Sequence, residues 1–571
     1  MVARGLACAL ALIAPLSFGY GCKGGGSGDD GPGEFLLVVQ TAPPPDSTEN
    51  TVAVRIGFQV DAEIDPTTLT ENTFFVVSED GTPVSGTLSV GGDEDDPTVA
   101  VLEPDEPLEV ITGYTATITT RLVAQGVSLQ EDFVWSFRTL DSEWGMDDWI
   151  ETTNTGTSSE PQVALDAQLN GLAVWTYEEP GGSSIYANRY TRRDTWGEPE
   201  PIDGGGGGAS APSLAVDAAG NGFAVWERSD DGFTASIWSN RYTVDEGWGN
   251  SELIQTGDVT PASDPVVAAD PNGNAIAIWV QRDMENNEQL VWANRYEPGS
   301  GWGTAAAIDP NPAGGLLIGN GLRLGMDDDG NAIALWVRPL IDGDVVWANR
   351  YTAGSGWGTA EIIKDDETTD VTQQRLTVGP GGDAFLVWRQ PGETRADIWS
   401  VRFSGTAWED PVRIDNYDAD DKGAPDVGVD GSGIAYAVWA QVDPDFSNIY
   451  AVQYTPGSGW GTPELIEDPI PPEMVGVFED PRDSDAVTPR LDVNSAGNAF
   501  VVWRQEWEGW GSVWSNRLDP GTGWMDAELI DNLERTASFP IIAVDADRHA
   551  HAIWLHSVDT NVDWVRTNRF E

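Results

Sequence analysis

Residues 290–308 read LVWANRYEPGSGWGTAAAI, and the last three-quarters of the chain keeps rewriting them. A strand ends in Asn294-Arg295-Tyr296, a Gly-rich turn follows, and a second short strand opens with Trp302 and closes with Ile308. A Trp followed six residues later by Ile recurs as Trp144/Ile150, Trp196/Ile202, Trp248/Ile254, Trp302/Ile308, Trp357/Ile363, Trp408/Ile414, Trp460/Ile466 and Trp524/Ile530. Successive Trp residues lie 52, 52, 54, 55, 51, 52 and 64 apart. A fixed period of this length, built of short strands, predicts a propeller or an array.

Two further strands precede each Asn-Arg-Tyr strand. The first resembles Leu214-Ala215-Val216-Asp217, and the second ends in Trp175, Trp226, Trp279, Trp336, Trp388, Trp439, Trp503 or Trp554. Two residues before that Trp stands a small side chain in most repeats (Ala173, Ala224, Ala277, Ala334, Ala437, Ala552), which lets neighbouring sheets approach. The strand 144–150 comes before any first strand, and the chain stops after its eighth third strand. If 144–150 pairs with 564–570, eight four-stranded blades close into a ring without a free edge. The expected fold is all-β: an Ig-like β-sandwich, then an eight-bladed β-propeller over 141–571 closed by its N-terminal strand.

Composition bounds the function. The 571 residues carry 93 Asp and Glu against 30 Lys and Arg, a formal charge of −63, which disfavours nucleic acid and anionic membranes. With 26 Trp the chain has ample core to fold. Its two cysteines, Cys8 and Cys22, lie outside the body, so no disulfide framework exists. Residues 1–22 read as a signal peptide: Arg4, an apolar run from Leu6 to Phe18, then Gly19-Tyr20-Gly21-Cys22. The ending resembles a bacterial lipobox, which implies acylation of Cys22 and an envelope lipoprotein held at the outer membrane or cell surface. Gly19 and Tyr20 depart from the usual aliphatic-then-small pair. A Gly/Ser-rich linker, 23–34, follows.

Residues 35–140 alternate short strands with Pro, Gly and Asp turns, among them 52–58 and Tyr114–Ile118. Pro43-Pro44-Pro45-Asp46, Asp65-Pro66-Thr67-Thr68-Leu69, Leu102-Glu103-Pro104, Gly113-Tyr114 and Trp135-Ser136-Phe137-Arg138-Thr139 are similar to the bacterial Ig-like domains of S-layer and other surface proteins. That resemblance implies a spacer.

Residues that vary between repeats are the candidates for function. Two places after the second-strand Trp stand Tyr177, Arg228, Gln281, Arg338, Gln390, Gln441, Gln505 and His556, a ring suited to a polar ligand, with Trp507 and Trp510 as stacking faces. The long connection Glu467–Thr488 lies on the same rim. The third-strand Arg (Arg189, Arg241, Arg295, Arg350, Arg402, Arg517, Arg569; Gln453 in the sixth) reads as a partner for the Glu eleven residues on, as in Glu200 or Glu252. Asp–Gly turns at Asp217, Asp270, Asp327–Asp329, Asp430 and Asp545 carry calcium as a minor alternative to plain turn chemistry. His549 and His551 are spaced like a metal pair, but no third ligand is identifiable, and no metal site or catalytic residue is nominated.

The repeat unit looks like the blades of fucose-binding propeller lectins, with Arg295, Trp292 and Trp302 as the matching types. A sialidase-type Ser-x-Asp-x-Gly-x-Thr-Trp box is not found intact. The first expectation is a non-catalytic, monomeric surface lipoprotein whose propeller is a binding or adhesion scaffold for a protein or matrix partner. A carbohydrate-binding, lectin-like propeller is the alternative, and a sialidase-like glycoside hydrolase comes third.

Overall fold

The structure is a computed structural model. It describes residues 35–570 apart from short stretches, the longest being 310–320 and 468–484. The signal peptide, Cys22 and most of the linker lie outside the described residues. The chain divides into two compact units, the second beginning at Trp144.

The first unit is a sandwich. Val38–Ala42, Ile56–Val60, Asp96–Pro104 and Gly86–Gly91 form one sheet, and Ser47–Asn50, Phe133–Thr139, Gly113–Ile118 and Phe74–Ser78 the other. Inward-facing Phe58, Phe74 and Trp135 fill the space between, with Phe58 and Phe74 edge to face at 4.9 Å. Asp65 caps the single turn Pro66–Thr68 by accepting the Thr67 N–H at 2.9 Å, which accounts for the Asp-Pro-Thr motif.

The second unit is a propeller of successive four- or five-stranded antiparallel sheets, eight among the described residues. Numbered by their innermost strands, blades 1 to 8 begin with Thr157–Leu165, Gly208–Val216, Ala262–Ala269, Arg323–Met326, Thr372–Val378, Asp426–Val429, Asp485–Val493 and Ala537–Val544. Each innermost strand lies beside the next, and that of blade 8 lies beside that of blade 1. The strand left over at the front of the array supplies the outer edge of blade 8. Asp148 and Trp149 face Thr567 and Arg566, Trp144 bridges to Phe570, and the Ile150 N–H donates to the Val565 carbonyl at 3.2 Å.

Packing between blades repeats one scheme. The eight second-strand Trp residues are fully buried. Trp226 of blade 2 sits with Ala224 against Val174, Ile185 and Ile202 of blade 1. Trp175 of blade 1 sits in the same way with Ala173 against Ile150, Ile553 and Val565 of blade 8. A bulkier residue at the Ala position would hold the sheets apart.

The Asn-Arg-Tyr motif is an inter-blade clasp. Its Asn reaches backward: Asn240 donates to the Ile202 carbonyl of blade 1 at 2.9 Å, and Asn294 to Ile254 of blade 2 at 2.9 Å. Its Arg reaches forward over the aromatic of the next blade. Arg189 lies 5.3 Å from the Tyr242 ring, Arg241 5.3 Å from Tyr296, and Arg295 5.4 Å from Tyr351. Arg350 lies 5.5 Å from Phe403, Arg402 5.4 Å from Tyr454, and Arg517 5.0 Å from Phe570. Arg569 then meets Tyr190 of blade 1 at 4.9 Å. Where Gln453 replaces the Arg in blade 6, Leu518 replaces the aromatic in blade 7. The Arg therefore serves the neighbouring blade, and not the expected Glu of its own repeat; Glu200, Glu252, Glu361 and Glu464 stand exposed at the outer edge.

The Asp turns are also clasps. Asp217 accepts the N–H groups of Ala219 and Asn221, both at 2.9 Å. A carboxylate facing N–H donors is already satisfied and is poorly placed for calcium. Gly220 in the following turn position has φ 80°. A Cβ there would come within 2.6 Å of the Asp166 carboxylate of blade 1, so glycine is required twice over.

Two predictions follow from these seams. Arg241→Gln and Tyr296→Leu, made singly and together, should show a coupling of about 0.5–2 kcal/mol by chemical denaturation; additive effects would mean that the ring and the cation do not interact. The second concerns Glu151, just past the closing strand. Burial raises its carboxyl to about 7, against hydrogen bonds from the Val565 N–H and the Ser158 hydroxyl, which lower it. A carboxyl whose folded pKa exceeds its unfolded one destabilises the fold as pH rises from its unfolded pKa to its folded one. Calorimetry between pH 5 and pH 8 should therefore show a steeper loss of Tm with rising pH for the wild type than for Glu151→Gln. Buried His551 acts in the opposite direction, with a pKa well below its usual value, but it is common to both proteins.

Candidate functional site

The inner strands of the propeller are not regular. Register slips between Ser159 and Gln162, Ser210 and Ser213, Ser263 and Val266, Thr372 and Arg375, Val487 and Arg490, and Ser538 and Ile541. Each bulge holds one non-glycine residue at positive φ: Glu160 at 54°, Ala211 at 53°, Asp264 at 56°, Gln373 at 55°, Thr488 at 52° and Phe539 at 52°. Such a conformation costs about 1 kcal/mol or more per residue and persists only where its surroundings impose it. In five of the six a Pro follows, and its missing N–H explains why the ladder is interrupted there.

The bulges surround a cavity of about 710 Å³ lined from all eight inner strands, which places it on the propeller axis. Its lining is electrically uneven. Arg323 of blade 4, Arg375 of blade 5 and Arg490 of blade 7 converge around Asp426 of blade 6. Backbone carbonyls steer the guanidiniums: Arg323 Nε donates to Gln374 at 2.9 Å, Arg375 to Gln374 at 3.1 Å, and Arg490 to Pro489 at 3.0 Å. Asp426 stands 3.8 Å from Arg375 Nε and accepts the N–H groups of Val427 and Leu491, both at 3.0 Å. Among the lining residues on this side, three cations face one carboxylate; a second, Asp492, is buried close enough for Asp426 to help raise it, after burial, to about 6.

That crowding has a measurable face. Arg323 is pressed down to about 9, first by burial, then by Arg375 and Arg490, with Asp426 opposing. Arg490 is pressed down to about 10, by burial and then Arg375, again opposed by Asp426. Arg323 and Arg490 therefore remain charged at neutral pH. On the blade 1 to 3 side the cavity presents carboxylates, Glu160 and Asp264. Glu160 accepts the Ala211 N–H at 2.8 Å and the Thr176 hydroxyl at 3.0 Å. Between the two sides stands Phe539 of blade 8, 66% exposed.

The ring of polar residues expected to line a ligand site does something else. Tyr177, Gln281, Arg338, Gln441, Gln505 and His556 are buried. The amide oxygens of Gln281, Gln390, Gln441 and Gln505 accept the indole N–H of the blade Trp two residues before, at 3.0, 3.2, 3.3 and 2.7 Å. Others link blades: Arg338 pairs with Asp309 of blade 3, Gln505 with Glu467 of blade 6 at 2.8 Å, and Arg228 with the Asp203 carbonyl of blade 1 at 3.0 Å. Tyr177 packs edge-on against Tyr186, and His556 against Trp149. Six of the eight are thus buried within or between blades, while Arg228 and Gln390 are half-buried. Trp510 is exposed; the side chain of Trp507 lies outside the described residues, as does most of the connection 467–488.

His549 and His551 do not act together. His549 Nδ1 contacts Asp545 at 2.9 Å within its turn, whereas His551 is fully buried beside Tyr190 of blade 1, ring centroids 4.4 Å apart. Asp545, Asp547 and His549 bring three potential ligand atoms within 4.8 Å. One oxygen of Asp545 is already taken by the N–H groups of Asp547 and His549. Of the lectin-like trio, Arg295 and Trp302 line a groove of about 430 Å³ with Tyr351 and Trp357, while Trp292 does not.

Comparison with known proteins adds one assignment. Residues 36–139 match the bacterial Ig-like domain. No curated protein matches the chain. Among solved structures, the BP39L lectin from Burkholderia pseudomallei is 10% identical, with 66% of this chain and 99% of that one covered at a TM-score of 0.43. The β-propeller domain of the Trilobed protease from Pyrococcus furiosus is 10% identical, covering 67% and 98% at 0.38. The polysaccharide lyase Uly1 is 9% identical, covering 70% and 87% at 0.40. The blade architecture described above rests on its own strand pairing, and no ligand is inferred from these likenesses.

Proposed function

We propose that the protein is an exported binding protein whose propeller captures an anionic ligand in its axial cavity without turning it over. The observation that carries this reading is the convergence of Arg323, Arg375 and Arg490 on the axis with only Asp426 among them. Guanidiniums bind carboxylate, sulfate and phosphate in forked geometry, and they keep their protons at neutral pH, so they hold rather than transfer. Asp426 is occupied by two backbone N–H groups and is poorly placed as a general base.

The chain's charge of −63 opposes anions at the outer surface. At physiological salt that repulsion fades over about 8 Å, so inside the cavity the nearest charges decide. The acidic exterior then discourages anions everywhere except the axis. Inorganic sulfate is the simplest probe. At equal ionic strength it should raise the Tm of the full chain relative to chloride, because a ligand bound to the folded state stabilises it by mass action. Arg323→Ala with Arg490→Ala should abolish that shift while relieving cation crowding. An equal sulfate shift in both proteins would overturn the reading.

Envelope anchoring belongs to the same proposal. Cys22 follows the apolar run and precedes the Gly/Ser-rich linker, as an acylated N-terminus requires. Expressed in a bacterium, the wild type should partition with membranes and Cys22→Ser with the soluble fraction. Identical partitioning of the two would exclude the lipid.

A further inference from the structure

Phe539 occupies the bulge position that the other five bulged blades fill with Glu160, Ala211, Asp264, Gln373 and Thr488, and it is the only aromatic among the six. It is the most exposed large apolar side chain among those described, at 66%. The rest of its strand behaves normally: Ala537 is buried, Pro540 is buried, and the pairing resumes at Ile541 with Ile553. An exposed aromatic ring in the lining of a concave cavity offers an apolar face that a ligand can cover.

Its neighbours define that surface. The strand beside Phe539 is the inner strand of blade 7, tied to blade 8 by the Val544 N–H on Asp492 at 2.8 Å, and it carries Arg490. The ring therefore stands next to the cationic side of the cavity. The carboxylates Glu160 and Asp264 stand on the remaining side. A ligand that meets all three needs an acid group for the arginines, a face of C–H bonds for the ring, and hydroxyl donors for the carboxylates. A cavity of about 710 Å³ falls within the ~300–1,000 Å³ range of small-molecule sites and has room for one or two sugar rings.

Resting on the anion reading, we propose that the axial cavity takes the end of an acidic saccharide, with its carboxylate at Arg323 and Arg490 and its pyranose face on Phe539. Glu160 and Asp264 accept its hydroxyls. No bond is made or broken; the saccharide is held.

The test is direct binding of acetate, glucose, glucuronate and glycine to the full chain by titration calorimetry, with Phe539→Ala and the Arg323→Ala/Arg490→Ala pair alongside. Glucuronate should bind at least ~10-fold tighter than acetate, or about 1.4 kcal/mol, because covering its C–H face on Phe539 removes apolar surface from water that acetate does not have. Glucose should bind more weakly than glucuronate. In Phe539→Ala the glucuronate-to-acetate ratio should fall toward one. That variant shortens an exposed side chain, and its melting temperature checks that the fold survives. If acetate binds through the arginines but glucuronate gains nothing over it, or if glycine outcompetes glucuronate, the saccharide is overturned and the anion reading stands. If neither acetate nor glucuronate binds, both readings fall.

Discussion

The propeller is held by a relay of side chains that crosses most of its seams by the same route, with Val401 and Val452 in place of the Asn in blades 5 and 6 and Gln453 in place of the Arg in blade 6. In each full repeat an Asn holds the outer strand of the blade behind, and an Arg covers the aromatic of the blade ahead. The Asn also donates to a carbonyl of its own repeat, as Asn240 does to Gly249 at 3.1 Å, so it ties two blades through one amide. The three-letter motif is thus a joint rather than a feature of one blade. The backbone closure at Trp144–Ile150 and the side-chain closure at Arg569 and Tyr190 are two readings of the same constraint. Since each β-sheet is buried only by its neighbours, one open seam would expose apolar Trp and Ile on both sides of it.

Rigidity at the rim frees the axis. Inner strands held between two neighbours can carry six bulged residues in an unfavourable backbone conformation, because the surrounding ladder absorbs the cost. The cavity is therefore pre-organised: its guanidiniums are already directed by backbone carbonyls, of the adjacent strand for Arg323 and of the preceding residue for Arg490, before anything binds. The scarce basic residues are spent inside. Lys422 is buried 3.6 Å from Asp415, and Lys364 is buried against two carbonyls, leaving the acidic residues to dominate the exterior.

The architecture was legible because it is periodic. Trp/Ile spacing, the surplus strand at the front and the small residue before the second-strand Trp each point to blades, and strand counting alone pairs 144–150 with the tail. The site was less legible, for physical reasons. The row from Tyr177 to His556 varies like a binding surface, but a single sequence does not show that Gln281 or Gln505 is buried and answers an indole N–H. The true partner of each Arg lies one full period away, which local spacing cannot reveal, although the joint loss at Gln453 and Leu518 was a clue. The axial arginines lie where repeats diverge, and the one visible signal was the Pro that recurs early in the inner strand, as in Glu160-Pro161 and Phe539-Pro540.

The forward-reaching arginine also bears on how such a chain can grow. Copying a period that carries both inserts one cation and one aromatic together, each facing outward from its own unit, so the duplicate finds partners on both sides at once. A partial copy would strand one of them. Whole-blade gain or loss is then the cheap route by which the array changes length, with ring curvature setting the limit. At Gln453 and Leu518 both halves of one joint differ from the other repeats together, across a boundary between two units.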